Sequence, residues 1–365
     1  MMTRSKEAGS RWKTLLSLFC ILGAIAITLW LAFGGHDPTA VWQTICTLDA
    51  KWLGAAFLCW LGAMITDALW LQCYFRFQGK RLSTAYSLFV AVVGAFYCAV
   101  TPGASGGQPM QIYYLSRKDI PVGMSTSAVS IRFMLSHFST VLLTVVIVLL
   151  CRPVMVARLG NVQGLIAAGW LVHLAGSLLV LLSAIWKTGM QKAAGCLVRA
   201  GGRLHIVRSE HTATGKLNDI IEAYHANLRA ASRHPVQLLV LTGLSVASLF
   251  LTVMIPLCIY YAFGGQQTSA GELLTISYML HLSASYFPMP GASGAQEGGF
   301  LVFFRDVFPA EHIGLAMLIW RFFSYYLHLI AGPVLLAIRS FSKKNTAPDT
   351  LPTSSAERQT AQPPF

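Results

Sequence analysis

Long apolar runs, separated by short polar or glycine-rich breaks, set the pattern of this chain. Six runs, about 13–33, 52–74, 124–150, 162–186, 236–263 and 312–338, are long enough to cross a bilayer as helices. Two further runs, 84–100 and 272–288, are cut short by breaks that are nearly the same. Pro102 opens PGASGGQ and Pro290 opens PGASGAQ, so six of seven letters recur 188 residues later. Glycine-rich backbone at membrane depth is tolerated only where it is buried in protein or lines a cavity. Two such breaks in corresponding places of two halves point to a transporter-type site near the bilayer midplane.

Composition agrees with this reading. The 365 residues are 55% hydrophobic and only 11% charged, where a soluble domain carries roughly 25% charged residues. The run at 13–33 follows Arg4, Lys6, Arg11 and Lys13, as in a signal peptide. It is longer than a usual signal core and lacks a convincing cleavage site, so it is expected to stay as the first helix. The eight cysteines show no ligand spacing and no disulfide framework, and no metal or cofactor is expected.

The net charge of +13 is unevenly spread. Basic residues cluster at Arg76, Lys80 and Arg81, at Arg117 and Lys118, through the 187–235 loop, and at Arg339, Lys343 and Lys344. Positive-inside counting places these segments, with both termini, on the cytoplasmic side of the membrane. Arg152 and Arg158 in the 151–161 linker are an exception. The count closes only if 84–115 and 272–308 are re-entrant hairpins entering from opposite faces. A through-going 84–100 helix with an external break is the competing reading. The expected fold is an all-α polytopic membrane protein with an inverted repeat: six spanning helices plus two hairpins whose tips meet near the midplane. The transmembrane domain covers 1–341, with halves 13–150 and 162–338. A disordered tail follows at 342–365, rich in Pro, Ser, Thr and Gln.

The tips suggest the chemistry. Ser105 with Gln108, and Ser293 with Gln296, have the spacing of a capping box for the returning half-helices, although Pro109 permits a later start in the first. Helix N-termini offer unpaired N–H groups and partial positive charge, which suits an anion such as a lipid phosphate. Gly103, Ser105, Gly106, Gly107 and Gln108 are therefore candidate substrate-binding positions, as are Gly291, Ser293, Gly294 and Gln296. The competing reading is that the glycines serve only close packing. Arg132 and Arg321 follow the two prolines by 30 and 31 residues, and each precedes a Phe. At 1.5 Å per residue each lies about 12–14 Å into its helix, near tip depth. Glu297 is the natural partner of Arg321, and Asp67 can pair with Arg132. Charges inside a membrane usually face the bundle interior, so Arg132, Glu297 and Arg321 join the substrate-binding set, with Asp67 and His328 in support. A static pair that fixes helix register competes with each of these roles. His137, His173 and His281 are read as interhelical hydrogen-bonding residues. In the 187–235 loop, 216–233 has apolar residues at helical spacing and can lie on an anionic lipid surface, or serve merely as a connector.

The segments TPGASGGQPMQIYYL (101–115), PMPGASGAQEGGF (288–300) and WRFFSYYLHLIAG (320–332) resemble the lysylphosphatidylglycerol synthase/flippase family, the multiple-peptide-resistance type of bacterial membrane protein. The resemblance covers about 13–340 and implies a flippase-like domain of a bacterial inner membrane that moves aminoacylated or other phospholipids between leaflets. Synthase members carry a large cytoplasmic acyltransferase-like domain after the membrane part, whereas about 25 polar residues follow the last helix here. The expectation is thus a lipid flippase and not an aminoacyl transferase. The alternatives are a membrane component of lysylphosphatidylglycerol synthesis acting with a separate synthase, a membrane scaffold, or an intramembrane enzyme. The last needs a nucleophile or metal cluster, and the expectation is that no HExxH, GxSxG or Asp-rich motif supplies one.

Overall fold

A computed structural model describes residues 38–118, 120–203, 209–284 and 287–344. The first expected span, 13–33, and most of the expected tail lie outside the described residues. Among the described residues, five helices are long and apolar enough to cross a membrane, and a sixth, shorter apolar helix spans Thr84–Val100. The chain is a polytopic all-α membrane protein. Large apolar side chains such as Leu149, Leu150, Leu179 and Ile185 stand exposed on its outer surface; a lipid environment is what leaves them without penalty.

A short helix α1 (Pro38–Thr47) leads into α2 (Ala50–Phe77), whose start is capped by Asp49 accepting from the Lys51 N–H at 2.9 Å. The first hairpin is α3 (Thr84–Val100) and α4 (Gly107–Ser116), followed by the long α5 (Val122–Leu150). Helix α6 (Arg152–Leu159) and a 3₁₀ turn (Gly160–Val162) join α5 to α7 (Gln163–Ile185). The basic loop folds into α8 (Lys187–Arg203) and α9 (Glu210–Ser232), and α10 (Pro235–Ala262) re-enters the apolar body. The second hairpin is α11 (Ala270–Ala284) and α12 (Ala295–Phe303). The last span is α13 (Ile313–Arg321), a π-helical turn (Phe322–Tyr326) and α14 (Leu327–Lys344). The order of helix, helix, broken hairpin and helix expected for the second half is thus present, and the described part of the first half matches it.

Helix α2 lies along α10, α14 along α3, and α5 along α7. One apolar core gathers Ile259, Ile276, Phe300, Phe304 and Met317 around the second hairpin; another gathers Trp70, Phe75, Val90, Leu115 and Ile131 around the first. Helix α9 also departs from the surface-lying reading of 216–233. Its Ile221, Tyr224, His225 and Ala231 are buried, and Ala223 sits so close to Gly123 of α5 that a side chain there would collide with it. The apolar face of α9 is covered by protein, because α5 extends to meet it. Arg158, one of the two exceptions to the charge rule, lies 3.8 Å from Glu272 and donates to the Asp306 carbonyl at 3.4 Å. Its charge is met by protein groups.

Candidate functional site

The two breaks come together. Pro102 and Pro290 form an isolated antiparallel bridge, and the turns that follow are near copies. Gly103 and Ala104 have φ of 59° and 54°, and Gly291 and Ala292 have φ of 60° and 50°. Ala104 and Ala292 pay strain in this left-handed region, which only glycine enters freely. In both turns the serine N–H donates to the proline carbonyl three residues back, at 3.3 Å for Ser105 and 3.2 Å for Ser293.

That turn overturns the expected caps. Both serine hydroxyls donate to the proline carbonyls, each at 2.9 Å, so neither Ser105 nor Ser293 caps the returning helix. Thr101 Oγ1 accepts from the Gly106 N–H at 2.8 Å in the first tip. In the second, Glu297 Oε2 accepts from the Gly294 N–H at 2.7 Å. The paired left-handed residues roll each serine back onto the turn, and the caps fall to groups on either side. Sequence spacing holds no trace of that roll. The letters Gly103-Ala104-Ser105-Gly106-Gly107 fit the G-x-S-x-G pattern of hydrolase nucleophiles, which corrects the expectation that this motif is absent. Here the serine sits between two helices, not at a strand-to-helix elbow, and its hydroxyl is spent on a backbone carbonyl.

Both expected ion pairs form, in different surroundings. Arg321 Nε lies 2.8 Å from Glu297 Oε1, and the two side chains are 4% and 1% exposed. Arg321 Nη2 also donates to the Gly291 carbonyl at 3.1 Å and to Ser293 Oγ at 3.3 Å. Its guanidinium lies 4.5 Å from the Tyr325 ring centroid, a cation–π distance. Gly291 makes this closeness possible, because a Cβ there would overlap that ring. Tyr325 in turn donates to the Ala99 carbonyl at 3.4 Å, tying the last span to the first hairpin. Arg132 Nη2 lies 2.5 Å from Asp67 Oδ2, with side chains 22% and 17% exposed, and Ser248 Oγ donates to Asp67 Oδ1 at 2.8 Å. His328 Nε2 accepts from Trp60 Nε1 at 3.2 Å, which joins the last span to α2.

A cavity of about 440 Å³ runs between these groups. Asp67, Arg132, Gln108, Gln296, Arg321 and His328 all line it, together with Gly107 and Gly291. Of the other expected positions, Gly103, Ser105, Gly106, Ser293, Gly294 and Glu297 build the tips behind its wall. Gln111, His137 and His281 also face the cavity; Gln111 escaped the sequence reading because its copy of the repeat has no matching glutamine. Gln111 fits there because position 94 is glycine, whose missing Cβ leaves room for the amide. Among the described residues no cluster of His, Cys, Asp and Glu has the makings of a metal site.

Five or more apolar spans around a charged cavity, closed by two half-helix hairpins, define a multi-pass membrane protein with a polar site inside its bundle. Residues 13–332 match the family described as "Lysylphosphatidylglycerol synthase TM region". That match covers most of the chain, so the protein belongs to this family of membrane proteins related to lipid metabolism or transport. The chain is also 24% identical, over 322 residues, to a protein of Archaeoglobus fulgidus described as "UPF0104 membrane protein". That similarity covers 86% of this chain and 94% of the archaeal one.

Proposed function

We propose that this protein moves a phospholipid, or a lipid-like molecule, between the leaflets of a bacterial cytoplasmic membrane. The observation that carries the reading is a cavity of about 440 Å³ holding Asp67, Arg132 and three glutamines amid apolar helices. Charged side chains in a membrane interior are costly even when paired, and they mark substrate paths. Such a volume lies in the range of small-molecule sites and has room for a whole phosphorylated head group, with the acyl chains left in the surrounding lipid. In this reading the head group enters between the hairpins, and the two tips part as the halves rock, exposing it to one leaflet and then the other. The basic loop 187–235 faces the anionic cytoplasmic surface, where exposed cations are attracted to acidic lipids.

The test is a leaflet-resolved assay. Protein reconstituted into vesicles with a trace of fluorescent phosphatidylglycerol is treated with an impermeant quencher, and the protected fraction is followed with time. Loss of protection well beyond that of protein-free vesicles supports the proposal. A rate equal to that of empty vesicles, from protein that remains folded, refutes it.

A further inference from the structure

The two arginines on the cavity are not equivalent. Arg321 is 3% exposed: its Nη2 donates to the Gly291 carbonyl and to Ser293, its Nε stands 2.8 Å from Glu297 Oε1 as an ion pair without a well-directed hydrogen bond, and its face meets the Tyr325 ring. A ligand that took this guanidinium would have to break a sealed ion pair and loosen the second tip. Arg132 is half engaged. Its Nη2 holds Asp67, while its Nη1 is shut from water and has no hydrogen-bond acceptor among the described residues. A guanidinium is a planar fork that grips an oxyanion with two parallel N–H bonds, and a buried donor with no partner favours any ligand that supplies one.

We infer that the phosphate of the substrate docks on Arg132, taking its unpartnered Nη1 once the partly exposed side chain turns further into the cavity, while Arg321 acts as a strut for the second tip and does not touch the ligand. This rests on the proposed function only in taking the cavity as the substrate site. Gln108 and Gln111 line the same wall, and their amides donate to the remaining phosphate oxygens. Asp67, itself anchored by the Ser248 hydroxyl, holds Arg132 in position, and it also competes with the incoming anion for the same guanidinium. The ligand chemistry is a phosphate ester, carried either by a lipid head group or by a water-soluble ester.

Binding, separate from transport, tests this. Purified full-length protein in detergent is titrated calorimetrically with dihexanoyl phosphatidylglycerol, glycerol 3-phosphate and phosphate-free dihexanoylglycerol. Wild type binds the phospholipid, and Arg132→Gln weakens it about tenfold or more, the range for one charge-assisted contact. Asp67→Asn binds at least as tightly as wild type, because a competing anion is gone. Asp67→Asn/Arg132→Gln, which orphans no carboxylate, loses binding as Arg132→Gln does. Replacing Glu297→Gln and Arg321→Met together lowers thermal stability but keeps the affinity within about threefold. The inference is overturned if Arg132→Gln binds like wild type, or if Asp67→Asn loses affinity in step with it, as a purely structural pair would. It is also overturned if dihexanoylglycerol binds as well as the phospholipid. Glycerol 3-phosphate binding as tightly as the phospholipid upholds the Arg132 site and refutes the lipid reading. Conversely, lipid translocation that survives Arg132→Gln refutes the docking site alone.

Discussion

Replacing Glu297 with Gln keeps the side chain's size and removes its charge, so Arg321 is left as a cation in a site that is 3% exposed. Breaking one partner of a buried pair typically destabilises by about 3–5 kcal/mol. Arg321 keeps the Gly291 carbonyl, the Ser293 hydroxyl and the Tyr325 ring, which puts the expected loss at the lower end, about 3 kcal/mol. Part of that loss is the weakened hold on the Gly294 N–H, which the carboxylate accepts at 2.7 Å. For a chain of this size 1 kcal/mol moves the midpoint by about 2 °C, so the melt should fall by about 6 °C. The double variant Glu297→Gln/Arg321→Met removes both charges and should recover at least half of that, since apolar replacements of buried pairs are often near neutral. Thermal unfolding followed by intrinsic tryptophan fluorescence in one detergent measures all three proteins. A single variant that melts within about 1 °C of wild type, or a double variant less stable than Glu297→Gln alone, refutes the reasoning.

Other substitutions separate the roles in the tips. Gly103→Ala and Gly291→Ala both place a side chain at positive φ, but only at 291 does the new Cβ overlap the Tyr325 ring. Gly103→Ala should cost about 1 kcal/mol and Gly291→Ala clearly more; equal melting shifts contradict this. Thr101→Val removes the hydroxyl that accepts from the Gly106 N–H and should cost about 1 kcal/mol, while Ser105→Ala should cost only a few tenths. The reverse order in thermal melts restores serine as the cap. Outside the spans, burial holds the pKa of His225 below its ordinary 6.5, and nearby Lys187 and Arg229 add to the effect. The unfolded chain then binds the proton more readily, so the neutral ring's contribution is complete above about 6.5 and drains away as pH falls through the folded value. The lead of wild type over His225→Asn in unfolding midpoint should shrink on acidification from neutral pH, and a lead that grows refutes the sign.

The five described spans were legible because length and apolarity alone decide whether a segment crosses a bilayer. The likeness of the two tips was legible too, since two near-identical heptapeptides in apolar surroundings demand the same backbone. Pairing Asp67 with Arg132 and Glu297 with Arg321 followed from the cost of lone charges among so few ionisable residues. The hydrogen bonds of the tips were not legible. Ser105 and Ser293 have capping spacing, but the left-handed Gly-Ala pair turns their hydroxyls onto the proline carbonyls. Nor does the sequence distinguish the sealed pair from the open one, because that depends on Tyr325 and Gly291 closing over Arg321 from another part of the chain. The packing of α9 beneath α5 was equally hidden: an amphipathic helix looks the same whether lipid or protein covers it.

The contact between the tips carries the most weight, and a cross-link tests it. Cysteines replacing Pro102 and Pro290, in a chain whose native cysteines are changed to alanine, would stand at the usual spacing of bridged strand residues, about 4.5–5.5 Å between Cα atoms, within disulfide range. Lipid translocation is then measured before and after mild oxidation, and again after reduction. The expected result is a bond within one chain that halts translocation and releases it on reduction. Failure of the two thiols to join, or an undiminished rate in the joined protein, contradicts a mechanism that turns on these two hairpins.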